Sequence, residues 1–247
     1  MDANNALPPH YERDFITVAE IYTALVTGTR PIYFQANADE PLWGGGTLFM
    51  AQWKKKQFAI TAKHVLKNSG ANPRHTRILF PGFQVALPLR DMYSPSFPNT
   101  EAQQDLEDMV CLLVHDDFKL DEQMHWYAWD MERFWRPASE LKPGQQLFAV
   151  GFPNTEDRYD WENQKVNETP LIAVGMLSKD SLGPGTYCID TAEFACDIDG
   201  CSGGPVFARF DGFFHYVGII IRGGSKARKI YFVDAAYVTF MLEYCDR

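Results

Sequence analysis

Basic charge is the first shortage in this 247-residue chain: 23 Lys and Arg stand against 32 Asp and Glu, for a net charge of −9 and a pI near 5.1. An acidic surface repels phosphate backbones, so a nucleic-acid partner is not expected. Long apolar runs are missing too. No stretch of eighteen apolar residues occurs, and Met1 to Pro9 lacks the basic-then-apolar layout of a secretory leader, so neither a membrane span nor export is expected. Cysteine is scarce: Cys111, Cys188, Cys196, Cys201 and Cys245 are odd in number and contain no Cys-x-x-Cys pair. That pattern favours reduced thiols in a cytoplasmic protein over a disulfide framework or a zinc cage. Repeats, low-complexity tracts and long linkers are also lacking. What the chain does have is apolar material, at 46% hydrophobic and 14% aromatic, enough for a buried core in one large or two small domains. Disordered, collagen-like and coiled-coil classes are thereby excluded.

The chain opens with one amphipathic helix. From Asp14, the residues Phe15, Val18, Ile21, Tyr22 and Leu25 recur at three- and four-residue steps, and Gly28 and Pro31 supply a stop. The texture then becomes short β-rich runs at 31–36, 47–52, 57–61, 77–80, 109–114, 145–150, 171–177, 186–191, 205–209, 213–221 and 229–233. Short strands with little helix between them predict an all-β sandwich or barrel rather than a βαβ fold. The segment 129–143 reads as the boundary between two β halves, and 154–168 as a long exposed loop. A final helix follows Asp234, a suitable N-cap, with Ala235, Val238, Phe240, Met241, Leu242 and Tyr244.

Three segments carry chemistry. In Gly200-Cys201-Ser202-Gly203-Gly204-Pro205-Val206, glycines crowd around one serine, a costly arrangement unless the backbone must adopt an unusual turn. A nucleophilic serine needs such a turn, with backbone N–H groups aimed at the oxygen of a tetrahedral intermediate; Gly200 and Ser202 would supply them. A hairpin turn into the strand at 205–209 is the plainer alternative. In Ala59-Ile60-Thr61-Ala62-Lys63-His64-Val65, a β-run delivers a histidine at its exit, the base that a serine requires. A histidine taken singly is more often a surface residue, and His10, His75, His115, His125 and His215 read that way. In Asp105-Leu106-Glu107-Asp108-Met109-Val110-Cys111-Leu112-Leu113-Val114, an acid directly precedes an apolar strand, where it can hold an imidazole in one tautomer. Alone, it is an ordinary solvated strand start.

Together the segments run His64, Asp108, Ser202, the His…Asp…Ser order of chymotrypsin rather than that of subtilisin or the α/β-hydrolases. On these stretches, with Gly44-Gly45-Gly46-Thr47-Leu48-Phe49 and Val217-Gly218-Ile219-Ile220, the chain resembles the trypsin/chymotrypsin-like serine proteases over about residues 31–235, and within them intracellular bacterial-type trypsin-like peptidase domains. The resemblance implies two six-stranded antiparallel β-barrels with the active site between them: residues 1–30 an N-terminal extension, 31–135 the first barrel with His64 and Asp108, and 136–247 the second barrel with Ser202 plus the C-terminal helix. It places the specificity pocket at Cys196, Asp197 and Asp199 and at the strand Ile221-Arg222-Gly223. Asp197 and Asp199 would favour a basic substrate side chain, and Arg222 would cancel them or favour an acidic one. Gly223 and Gly224 fit a wall on which an extended substrate pairs by backbone hydrogen bonds.

The chain departs from the family in two places. Cys201 stands where secreted members carry an aspartate, and no Ile/Val-Val-Gly-Gly start precedes the first strand, so classical zymogen activation is not expected and the oxyanion loop must be ordered in another way. Cysteine-using relatives place the thiol at the position of Ser202, which makes Cys201 a structural residue. The expectation is a cytoplasmic serine endopeptidase acting on protein or peptide substrates without metal or organic cofactor; latency until a regulatory partner activates it, or activity dependent on the N-terminal helix, is left open. A catalytically silent binding or scaffold protein on a protease fold is the rival, and an esterase a weaker third.

Overall fold

The computed structural model describes residues 17–37, 39–40, 42–70, 72–80, 83–96, 104–115, 128–155, 159–160, 165–166, 169–192 and 197–245. Its first element, helix α1 (Val18–Val26), begins at a capping box: the Thr17 hydroxyl accepts from Glu20 N–H at 3.2 Å, and the Glu20 carboxylate accepts from Thr17 N–H at 2.9 Å. Asp14 and Phe15, from which the sequence places the helix start, lie outside the described residues. Gly28 follows the helix, but the chain is already extended at Thr29, so Pro31 sits inside the first strand instead of beyond a helix stop.

The first β unit holds β1 (Thr29–Phe34), β2 (Thr47–Trp53), β3 (Lys56–Thr61), β4 (Thr76–Phe80), β5 (Phe83–Ala86), β6 (Leu89–Tyr93), β7 (Val110–Val114) and β8 (Trp129–Asp130). They form an antiparallel path β5-β4-β1-β2-β3-β7-β6, with β8 added parallel to β2. This path is open, a half-barrel. The second unit is a closed barrel, ordered β12-β13-β16-β15-β14-β9, from β9 (Gln146–Gly151), β12 (Leu171–Leu177), β13 (Thr186–Thr191), β14 (Pro205–Phe210), β15 (Phe213–Gly224) and β16 (Lys229–Asp234). The double β-barrel with a helix at each end is therefore present, and each of the β-rich runs read from the sequence overlaps a strand. Strands β5, β6 and β8 come in addition. The segment expected as an exposed loop contains a small hairpin, β10 (Tyr159–Asp160) with β11 (Lys165–Val166).

Three side chains of the segment read as the boundary between the halves enter the core between the units. Trp129, Met131 and Phe134 are buried, and Trp129 Nε1 donates to Phe134 O at 2.8 Å. Trp129 packs on Phe207 with centroids 4.7 Å apart, and Phe49 of the first unit stacks on Tyr216 of the second at 5.1 Å. Burial of large rings drives this contact, each contributing about 1.5–3 kcal/mol.

The last strand hands over to helix α3 (Ala235–Cys245), whose Val238, Met241, Leu242 and Cys245 are buried while Phe240 and Tyr244 face solvent. Asp234 starts it. One carboxylate oxygen accepts from Ala236 N–H and from Ala138 N–H, both at 2.9 Å, tying the helix to the segment between the units. Burial pushes this carboxyl above its usual range, against the opposing pull of those N–H groups. The folded state therefore holds the proton more tightly than the unfolded chain does. Its stabilising contribution is full below the unfolded value and is lost as pH rises through the folded one. Asp234→Asn keeps an acceptor oxygen but cannot ionise. Urea unfolding should show the variant gaining on wild type as pH rises above about 4; a difference that stays flat with pH contradicts this account.

Candidate active site

Strand register brings His64 and Asp108 to one place. Thr61 of β3 lies opposite Val110 of β7 in an antiparallel pair, so the residues just after the first and just before the second emerge at the same end of the sheet. Past Thr61 the chain turns into helix α2 (Lys63–Ser69), which the sequence reading took only as a strand exit. Its N-cap residue, Ala62, has no side-chain oxygen to offer the first turn. Asp108 fills that role from 44 positions away, accepting from His64 N–H through Oδ1 at 2.8 Å. Its other oxygen, Oδ2, lies 2.6 Å from His64 Nδ1. An ionised carboxylate only accepts, so Nδ1 carries the ring proton and Nε2 presents its lone pair. The side chains are 34% and 22% exposed, open enough for a ligand to reach the ring.

Ser202 arrives from the other unit. Its loop turns through left-handed backbone at Gly200 (φ 92°) and Gly203 (φ 91°). A Cβ at Gly203 would lie 2.1 Å from Thr47 O, 2.3 Å from Thr61 Oγ1 and 2.9 Å from Ala62 N, so only glycine lets the loop sit against the ends of β2 and β3. Thr47 N–H donates to Ser202 O at 2.9 Å across the same contact. Gly203, the residue after Ser202, thus sits against Ala62, two positions from His64. Its hydroxyl donates to Ile221 O at 3.4 Å and makes no hydrogen bond to His64 among the described residues. Within the loop, Cys201 N–H goes to Ile198 O, Gly203 N–H to Ile220 O and Gly204 N–H to Cys201 O. The N–H groups of Gly200 and Ser202 have no acceptor among the described residues.

The remaining expected residues spread around this centre. Cys201 is buried against Gly151, where a Cβ would come within 2.6 Å of the cysteine Cβ. Cys196 lies outside the described residues. Asp197 accepts from the Ser225 hydroxyl, and Asp199 accepts from the Asn154 side-chain amide at 3.2 Å; both acids are exposed. Ile221 is buried. Arg222 turns to neither of them: its guanidinium pairs with Asp105, three residues before Asp108 in the first unit. Gly223 is covered by Ile198, whose Cδ1 would stand 2.5 Å from an added Cβ. Strand β15 pairs with β14 only as far as Ile219, so along 221–224 its second edge has no strand partner among the described residues.

Thr47, Thr61, Asn154 and Asp105 were not singled out by the sequence reading. Thr47 and Thr61 stood inside quoted motifs without a role; Asn154 gave no signal. Other thiols are poor nucleophile candidates, since burial pushes Cys111 and Cys188 up and Cys245 to about 12. No group of three or more His, Cys, Asp or Glu able to hold a metal ion occurs among the described residues. Comparison with models of known families gives no match for this chain, and no curated protein matches it either.

Asp108→Ala should cost about 1–2 kcal/mol in urea unfolding, through loss of the side-chain cap that Asp108 gives α2. Nitrogen-15 NMR should find wild-type His64 as the Nδ1–H tautomer and the variant largely as Nε2–H. An unchanged tautomer would mean that the carboxylate does not govern the ring.

Proposed function

We propose that the protein is a serine endopeptidase of the trypsin/chymotrypsin type, hydrolysing peptide bonds through an acyl-enzyme on Ser202. The observation that carries this reading is the double hold of Asp108 on His64, at 2.8 and 2.6 Å, together with a loop in which the N–H groups of Gly200 and of Ser202 itself have no acceptor among the described residues. Such a histidine offers Nε2 as a base. The Ser202 proton passes to Nε2 while Oγ attacks the substrate carbonyl carbon, and the resulting oxyanion is met by the N–H groups of Gly200 and Ser202. His64 then gives the proton to the departing amine as the C–N bond breaks. Water repeats the sequence on the ester, regenerating the serine. Asp108 stays ionised throughout and stabilises the imidazolium.

Ser202 must first release Ile221 O and turn its hydroxyl proton toward Nε2. At 3.4 Å that hydrogen bond is long and offers little resistance. The open edge of 221–224 suits an extended peptide pairing as an added strand, with its scissile bond delivered beside Ser202. A cytoplasmic site of action is supported by the free state of Cys111, Cys188 and Cys245. No helix among the described residues is long and apolar enough to cross a membrane.

The engagement of Ser202 with Ile221 in place of His64 also favours a second reading, a latent enzyme awaiting a regulatory partner or a silent binding protein on the same fold. One comparison separates them. Wild type should cleave casein and take up a fluorophosphonate, with Ser202→Ala reduced by roughly 10³-fold or more. Equal signal from both proteins would overturn the assignment of Ser202, and an unlabelled wild type at high concentration would favour the silent protein.

A further inference from the structure

The loop around Ser202 is gripped from outside by two residues that the reaction itself does not use. The Thr47 hydroxyl donates to Gly200 O at 2.9 Å and accepts from Phe152 N–H at 2.9 Å. A hydroxyl has one proton, and the Phe152 contact occupies the oxygen as acceptor, so the proton is committed to Gly200 O. Two residues beyond Phe152, Asn154 N–H donates to Asp199 O at 2.6 Å. In a trans peptide the C=O and N–H point in opposite directions. Holding Asp199 O therefore turns Gly200 N–H away from Asn154, and holding Gly200 O turns Cys201 N–H away from Thr47, onto Ile198 O at 3.1 Å. Gly200 lies between two pinned peptides, in left-handed backbone at φ 92° that isolated glycine has no reason to prefer over its alternatives. Thr47 has no exposed surface, so water does not compete for these bonds.

From this we infer that Thr47 is a positioning residue for the oxyanion site: it pins the Gly200–Cys201 peptide beside the Asp199–Gly200 peptide that carries the Gly200 N–H, so that this N–H keeps the orientation that meets the developing negative charge. The inference rests on the acyl-transfer reading of Ser202 and deepens it. It also assigns the ordering of the loop to a side chain of the first unit, where the sequence left the means of ordering open. Ser202 and His64 are not touched by the Thr47 hydroxyl. Its removal should therefore weaken the transition state while leaving nucleophile and base in place.

The test is Thr47→Val, which keeps the shape and removes the hydroxyl, compared with Thr47→Ser, which restores it. With a fluorophosphonate, whose phosphoryl oxygen occupies the oxyanion position, Thr47→Val should lower the maximal inactivation rate by about 10²-fold and leave the apparent binding constant within about threefold. Thr47→Ser should recover the rate to within about fivefold of wild type. Amide hydrogen exchange at 199–204 should speed up in Thr47→Val by about tenfold or more relative to the strands of the second barrel. A wild-type inactivation rate in Thr47→Val, a loss confined to the binding constant, or unchanged exchange at 199–204 would each overturn the inference. If Thr47→Val does not fold, Thr47→Cys replaces it, its thiol being a weak donor and acceptor, with at least a tenfold rate loss expected and no loss overturning the idea. A wild type that the probe never labels at Ser202 overturns the acyl-transfer reading instead, and the exchange data then decide whether Thr47 orders the loop.

Discussion

Two β units on one chain share a site only if something fixes how the end of one sheet meets a loop of the other. Here that constraint is gathered at Thr47. Its N–H bonds Ser202 O, its carbonyl accepts from the Thr61 hydroxyl at 2.7 Å, and its own hydroxyl bridges Gly200 O and Phe152 N–H. Every polar atom of one buried residue is thus engaged, and four of its contacts involve the segments that carry or adjoin the candidate site. Buried hydrogen bonds of this kind add modestly to stability when made and cost about 1–3 kcal/mol each when one partner is left alone. The result is specificity of placement more than strength. Apolar packing of Phe49, Trp129, Phe207 and Tyr216 holds the units together, while Thr47 decides where their edges meet.

Asp108 makes a second economy of this sort. The same carboxylate that fixes the His64 ring also caps the helix on which His64 stands. Orientation of the imidazole and formation of the first turn of α2 are consequently one event. A histidine on a strand end would have rotated about its own backbone; on a capped helix its Cα direction is set by the helix, and its ring by the same acid. The Arg222 pair with Asp105 braces the turn from the second unit, so the segment 104–108 is held from both sides of the contact.

Much of this was legible in the sequence, for definable reasons. The strands of both units show themselves by apolar runs between turn residues, and His64, Asp108 and Ser202 each sit in a short motif whose chemistry is local. Strand β6 escaped notice because Leu89 to Tyr93 is an exposed edge strand without apolar alternation. Helix α2 escaped because its cap is not adjacent: Ala62 gives no signal, and the acid that substitutes for it lies 44 positions beyond His64. Thr47 looked like an ordinary strand residue, since its role depends on partners 105 and 153 positions away. The segment at 129–143 reads as polar by letter count, yet Trp129, Met131 and Phe134 are spaced so that their side chains fall inward together. Local pattern reveals elements and motifs; it cannot reveal which distant backbone atom a hydroxyl will meet.

Because the Ser202 loop closes onto Thr47 and the barrel behind it is completed only by β16, the order of synthesis matters. A nascent chain that has reached Val114 already holds His64 and Asp108, but not the loop that completes the candidate site. Ser202 emerges later, and its loop gains a rigid foundation only when the strand at Lys229–Asp234 joins β13 to β15. Truncated translation products therefore leave the ribosome without the assembled candidate site, a consequence of the topology itself.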